Sequence, residues 1–396
     1  MKKTYLIIAA TALVALSACT KNEVRSISDE PSQITWQTVI GPKSTKALVD
    51  GTKFSTDYKF RTYAFYNANG TTWPNEASLY IDNAEVEYHS TAVEGKPFAA
   101  NSWHADQVYY WPKGGSLTFI SYTIVNGDEN NKATSYPANV SCTVDNGLKV
   151  SGYDVDANQN LDFMVAYATG QTANTTSSAQ NEKGVPTAFK HALTQIVGFN
   201  VTTKDNYKKE DNGVVKAGSY VIKIKGIEIV NPYNKGDYSL KDNATGAWDS
   251  SSYTETSDKS TYAYKTSDGN PAELNKTTAV NLVNDQKAFL PQTFAEPNYS
   301  STSTKEEIEA AIQAVPHIKL SYTTYYYRED GTVAVTDDVS EYVALSAIHP
   351  DTRSWGINKK ITYNVTISLA GKNNEYIIYW DPKVTDWEIE TGTIEL

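Results

Sequence analysis

Tyr363-Asn364-Val365-Thr366-Ile367-Ser368-Leu369 places an apolar or aromatic side chain at every second residue, the period of a strand that keeps one face on a core. Leu161-Asp162-Phe163-Met164-Val165-Ala166-Tyr167 repeats that period. Tyr58-Lys59-Phe60-Arg61-Thr62-Tyr63-Ala64-Phe65-Tyr66 makes a third strand, closed by the turn residues Asn67-Ala68-Asn69-Gly70. In the run 220–229 the apolar side chains sit at even positions up to Ile224 and at odd positions from Ile227. A strand that holds one face on the core through this change must gain a residue, so a bulge is expected at or near Gly226.

Composition agrees with these segments. The chain has 28 tyrosines, 8 tryptophans, 10 phenylalanines and 2 methionines, and large rings with β-branched residues favour pleated, half-buried surfaces. Turn chemistry recurs at Asn69-Gly70, Pro112-Lys113-Gly114-Gly115, Asn146-Gly147, Gly269-Asn270 and Asp330-Gly331, as a meander or Greek-key sandwich requires. Helix is expected once, over 304–315. There Thr304 and Glu307 have capping-box spacing, apolar residues fall at 308, 311, 312 and 315, and Pro316 is a stop.

At 396 residues the chain is long enough for two or three cores. The polar tract 169–187 marks a boundary between about 170 and 188, after which Phe189 to Val201 begins a second core. A second polar tract, 231–270, reads as a long loop or decorated hairpin, with Tyr253, Tyr262 and Tyr264 ordering part of it. The charge of -11 at pH 7 excludes nucleic acid as a partner, because that recognition needs clustered positive charge.

The N-terminus carries an address. Met1, Lys2 and Lys3 precede an apolar run from Tyr5 to Leu16 and the tetrad Leu16-Ser17-Ala18-Cys19. This is an export signal, too short to span a bilayer, and the tetrad is a lipobox with Cys19 as the acylated residue. The alternative is an ordinary signal with an incidental cysteine. The other cysteine, Cys142, lies in register with Val140 and Val144 and reads as a small buried hydrophobe, so disulfides are not expected to hold the exported domains.

Little chemistry is legible. The histidines at 89, 104, 191, 317 and 349 have no metal-ligand spacing, and neither a nucleophile elbow nor a P-loop occurs. His191 reads as structural. Asp154 and Asp156 resemble a calcium fragment, but a solvated turn accounts for them without the loop glycine and distal glutamate that an EF-hand needs. No cofactor, metal or catalytic residue is expected, and the chain is not read as an enzyme. Carboxylate pairs separated in sequence and aromatic glycan platforms stay open.

Ile34, Trp36 and Ile40 share one face of a candidate strand that ends at Gly41-Pro42, ahead of Thr45-Lys46-Ala47. A basic residue between a detachable strand and the body of a domain is open to a trypsin-like protease. At the other end, Trp387 and Ile389 share one phase, Ile394 and Leu396 the other, and Gly392 lies between them. This segment reads as two short strands, adding to its own sheet or reaching into another subunit.

With these blocks in order, the chain resembles the fimbrillin family of Bacteroides-type bacteria, also called Mfa-like proteins or type V pilins. The resemblance rests on Leu16-Ser17-Ala18-Cys19, on Thr45-Lys46-Ala47 ahead of Phe54, on the block Phe189 to Val201, and on Ile361 to Ile367 with Trp380-Asp381-Pro382 through Glu388. It implies two transthyretin-like Greek-key β-sandwich domains with little helix, at 47–187 and 188–396. Ahead of these it implies a lipoprotein signal peptide at 1–18 and a lipidated propeptide at 19–46. It also implies palmitate at Cys19, export to the cell outer membrane surface, and processing between Lys46 and Ala47, where the family often has arginine. Ile34, Trp36 and Ile40 would then belong to an expelled strand, and Trp387, Ile389, Ile394 and Leu396 to a donor strand at 387–396.

The implied function is a structural subunit of a fimbrium, favoured as stalk. Its partners would be further copies in a filament, other fimbrial subunits, the outer membrane before processing, the processing protease, and a host protein or glycan. The alternatives are a lipid-retaining anchor or tip subunit, or a surface glycan-binding lipoprotein.

Overall fold

A computed structural model describes residues 32–39, 54–126, 132–158, 161–173, 184–243, 245–254, 260–285, 288–328, 330–349, 352–370 and 375–386. The first strands are β1 (Trp36–Val39), β2 (Phe60–Asn67), β3 (Ser78–His89), β4 (Ser102–Ala105), β5 (Ser116–Asn126), β6 (Thr134–Ser135), β7 (Val140–Thr143), β8 (Gly147–Asp154), β9 (Leu161–Gln171), β10 (Val185–Ala188) and β11 (Lys190–His191). Then follow β12 (Thr194–Thr203), β13 (Glu210–Asp211), β14 (Val214–Val215), β15 (Tyr220–Val230), β16 (Lys235–Leu240), β17 (Ala247–Thr254), β18 (Thr261–Tyr264), β19 (Ala272–Glu273) and β20 (Val280–Leu282). The last are β21 (Ala288–Phe289), β22 (Gln292–Thr293), β23 (His317–Tyr327), β24 (Val333–Ala344), β25 (Ser354–Trp355), β26 (Lys359–Ala370) and β27 (Glu375–Asp386).

The architecture is almost entirely β. Its largest sheet has nine strands in the order β10-β1-β4-β3-β2-β5-β9-β11, with β6 on β5. The two end strands, β10 and β11, are separated in sequence by Phe189 alone, so one stretch of chain supplies both edges and the sheet curls into a nearly closed barrel. Phe189 is buried, stacks on Phe54 at 4.6 Å and meets Phe60 edge-on at 5.3 Å.

A second sheet, β17-β16-β8-β7, lies over the outside of β2, β5 and β9. Barrel strands under it are buried on both faces. In β9, Met164 and Ala166 enter the barrel core while Phe163 and Val165 meet Leu148, Val150, Tyr238 and Leu240 of the covering sheet. The expected alternation at 161–167 is therefore present as geometry, but it separates two cores rather than core from water.

The hairpin β16–β17 comes from the polar tract 231–270, and β16 pairs antiparallel with β8. Asp156 ties the regions together: its carboxylate accepts from Asn234 Nδ2 at 2.6 Å, from Ser260 Oγ at 2.7 Å, and from the Tyr262 hydroxyl. Tyr262 and Tyr264 of the same tract are buried, because β18 joins the sheet β18-β15-β23-β24.

That sheet faces β20-β12-β26-β27 across a third core. Ile361, Tyr363, Val365 and Ile367 all point into it, as the period of two requires. The register of β15 against β23 shifts between Ile224 and Gly226, so the expected bulge is present with Lys225 as the added, exposed residue. The helix Lys305–Gln313 has the Thr304/Glu307 capping box and no fully buried residue. It rests on β24 as a surface cover.

Within this core, Trp355 Nε1 donates to the Tyr363 hydroxyl at 2.8 Å. Nε2 of His349 lies 2.8 Å from the same hydroxyl. Burial pushes the His349 pKa down to about 4, whereas in the unfolded chain it returns to about 6.5. The unfolded state therefore binds the extra proton between these values, and His349 contributes stability at neutral pH that is lost as pH falls from about 6.5 towards 4. Urea unfolding at pH 7 and pH 5 should show His349→Asn losing less stability on acidification than the wild type, by about 2 kcal/mol.

Candidate functional site

The site is the cleft that holds β1. This strand of four residues runs parallel to β10, with Trp36 opposite Val185 and Val39 opposite Ala188, and antiparallel to β4, with Trp36 opposite Trp103. The residues before it are pinned as well. Ile34 N donates to Tyr109 O at 2.8 Å, Trp111 N to Ser32 O at 2.9 Å, and Val185 N to Thr35 O at 2.7 Å. Gly184 stands where the two backbones come closest: its φ is +97°, and a Cβ there would lie 2.7 Å from the carbonyl of Thr35. Only glycine fits that approach without displacing β1.

Ile34 and Trp36 are 1% and 2% exposed, two residues apart on the inward face. The Trp36 indole meets Phe119 edge-on at 6.2 Å, and Phe119 in turn meets Trp111 at 6.0 Å. The indole Nε1 has no hydrogen-bond partner among the described residues. Trp36 is thus held by shape and apolar contact, and burying it with Ile34 contributes roughly 3–6 kcal/mol.

The structure brings together two of the site residues expected from sequence, Ile34 and Trp36. Ile40, Cys19, Lys46, Ala47, Trp387, Ile389, Ile394 and Leu396 lie outside the described residues. The described chain ends at β27, which pairs with β26 over 12 positions and forms the edge of its sheet. Pro382, which has no N–H to donate, is accommodated there because only one side of the strand is paired. The walls of the cleft escaped sequence reading. β10 falls at the end of the polar tract 169–187, where only the step Gly184-Val185 signals a close approach followed by a strand, and β4 is too short to show a period.

Groups with chemical potential elsewhere serve structure. His191 Nδ1 lies 2.7 Å from Asp162 Oδ2 in a buried pair. Burial, reinforced by Asp82, pushes the Cys142 thiol up to about 12, so it stays protonated and inert. Asp154 Oδ1 accepts the backbone N–H groups of Asp156 and Ala157, which makes the 154–158 segment a turn. No group of three or more metal-ligating side chains occurs among the described residues.

No family model matches the chain, and no curated protein matches it. Among solved structures, a fimbrial protein from Bacteroides vulgatus aligns over 90% of this chain and 99% of its own, at 16% identity and a TM-score of 0.54, so the two share a fold. A cell adhesion protein described as putative, from Parabacteroides distasonis, aligns over 90% and 96% at 10% identity and a TM-score of 0.44. The tip fimbrial protein of Porphyromonas gingivalis aligns over 83% and 94% at 13% identity and 0.30. The last two similarities are too weak to add to the assignment of fold.

Because Trp36 is held by packing alone, Trp36→Ala should lower unfolding stability by about 3–5 kcal/mol. Trp36→Phe, which removes the unpaired N–H while keeping a ring, should cost less than half of that in the same denaturation experiment.

Proposed function

We propose that this chain is a non-catalytic structural subunit of a cell-surface fimbria, built by strand replacement at the β1 cleft. The observation that supports it is the position of β1, a four-residue strand near the N-terminal end of the described chain that completes a barrel it could leave. Its loss would expose the backbone edges of β10 and β4 and the pockets of Ile34 and Trp36, and an incoming strand would satisfy both.

In this reading the protein is exported as a lipoprotein acylated at Cys19 and carried to the outer membrane surface. A trypsin-like protease cuts between Lys46 and Ala47, and the strand bearing Ile34, Trp36 and Ile40 departs. The 387–396 segment of a neighbouring copy, through Trp387, Ile389, Ile394 and Leu396, takes its place. Such head-to-tail exchange is heterologous and therefore propagates into a filament. The two transthyretin-like sandwiches of 47–187 and 188–396 would be the repeating unit, with the β16–β17 hairpin of the second packed on the first. The exposed edge of β27, which leads into 387–396, gives the donor a starting point on the surface.

Limited trypsin digestion of the signal-free protein, with N-terminal sequencing and size analysis over hours, tests this. Cleavage after Lys46, followed by a ladder of high-mass species that disappears when residues 387–396 are deleted, is the expected result. A clipped product that stays monomeric with its C-terminus intact would remove self-polymerisation from the function and leave the anchor or glycan-binding readings.

A further inference from the structure

β4 forms one wall of the β1 cleft, and its two faces differ. Trp103 and Ala105 enter the barrel core, Trp103 in register with Trp36. His104 points the other way, opposite Glu87 of β3. Its ring is sandwiched between His89 at 4.1 Å and 6° and Phe98 at 3.6 Å and 14°. Phe98 is the buried residue of the otherwise largely exposed connection 90–101 between β3 and β4. Lys96 fastens the same connection by donating to the carbonyl of Asp106, with its ammonium 5.7 Å from the Phe98 ring centroid.

His104 is 1% exposed, and neither ring nitrogen has a hydrogen-bond partner among the described residues. The charged and titratable groups facing it are His89 and Glu87 from β3 and Lys96 from the connection. Glu87 is already engaged, by Lys59 at 2.6 Å and by His89 Nε2 at 3.1 Å, and Lys59 also holds Glu85 at 3.1 Å. An imidazolium at position 104 would therefore have two N–H groups without acceptors, His89 and Lys96 opposing its charge, and one carboxylate whose charge is spent elsewhere. Such a group is costly to keep buried.

We propose that the His104 ring, stacked between His89 and Phe98, is a proton-operated latch on the β1 cleft. Neutral, it holds the 90–101 connection down and β4 in place. Protonated, it is driven towards water, the stack opens, and β4 loosens its grip on β1. The latch deepens the strand-replacement reading, since it regulates release of the same strand.

The direction of the response follows from the surroundings. Burial foremost, then His89, holds the His104 pKa below its ordinary value. The Ala105 backbone opposes this weakly, without reaching hydrogen-bond geometry. The closed state thus has the lower pKa, the opened state returns to about 6.5, and opening becomes easier as pH falls below that value.

Amide hydrogen exchange of the full, uncleaved chain, read by mass spectrometry at pH 7.5 and 5.0 and corrected for the intrinsic pH dependence of exchange, tests the latch. Peptides covering 32–39 and 102–106 should lose about tenfold in protection on acidification, beyond any change in β23 and β26. His104→Phe keeps the ring stack without the titration and should abolish that local loss, and His104→Gln should abolish it as well. Unchanged protection in the wild type, or an equal local loss in both variants, overturns the proposal. Because exchange is read on the monomer, a chain that never polymerises still scores the latch, and a polymerising chain with pH-independent exchange refutes the latch alone.

Discussion

Closure of the nine-stranded sheet is the constraint from which the rest follows. A sheet curled this far has two edges facing each other, and unpaired N–H and C=O groups at those edges would be costly to leave buried. The chain meets the problem by running β10, Phe189 and β11 in succession, so that one continuous segment spans the seam, and by slotting β1 between β10 and β4. Of the strands that complete the barrel, β1 alone reaches its place from the N-terminal side of the described chain with few residues committed.

The interior is matched to that arrangement. Trp36, Trp103, Trp111, Phe54, Phe60, Phe119 and Phe189 fill the barrel with rings, which bury a large area each and meet one another in edge-on and stacked pairs. The opposite face of the same wall is polar and titratable, from Lys59 through Glu87 and His89 to His104. One short strand, β4, thus connects an apolar core that holds β1 to a charged surface that senses solvent.

Outside the barrel, the covering sheet draws its strands from both sides of the polar tract 169–187. β16 follows β15 in sequence yet pairs with β8, carrying β17 on its other edge, and Asp156 bonds Asn234, Ser260 and Tyr262. Three side-chain donors meet this half-buried carboxylate. Once they are supplied by the segment 234–262, that segment is anchored to the barrel side.

Alternation at 363–369, the parity change across Gly226 and the capping box at 304–307 are local features, set by the pleat, by the need to keep one face inward, and by orphan N–H groups at a helix start. The sequence alone determined these, together with the all-β class and the pairing of Ile34 with Trp36 on one face. It could not reveal that 161–167 divides two cores, because a buried outer face and a solvated one differ in what lies above them and not in period. Nor could it show that 184–188 and 102–105 form the walls of the β1 cleft, that the 235–254 hairpin covers the barrel, or that His89, His104 and Phe98 stack. Those depend on contacts between residues far apart in the chain, and only the tertiary structure, by choosing which edges meet, decided them.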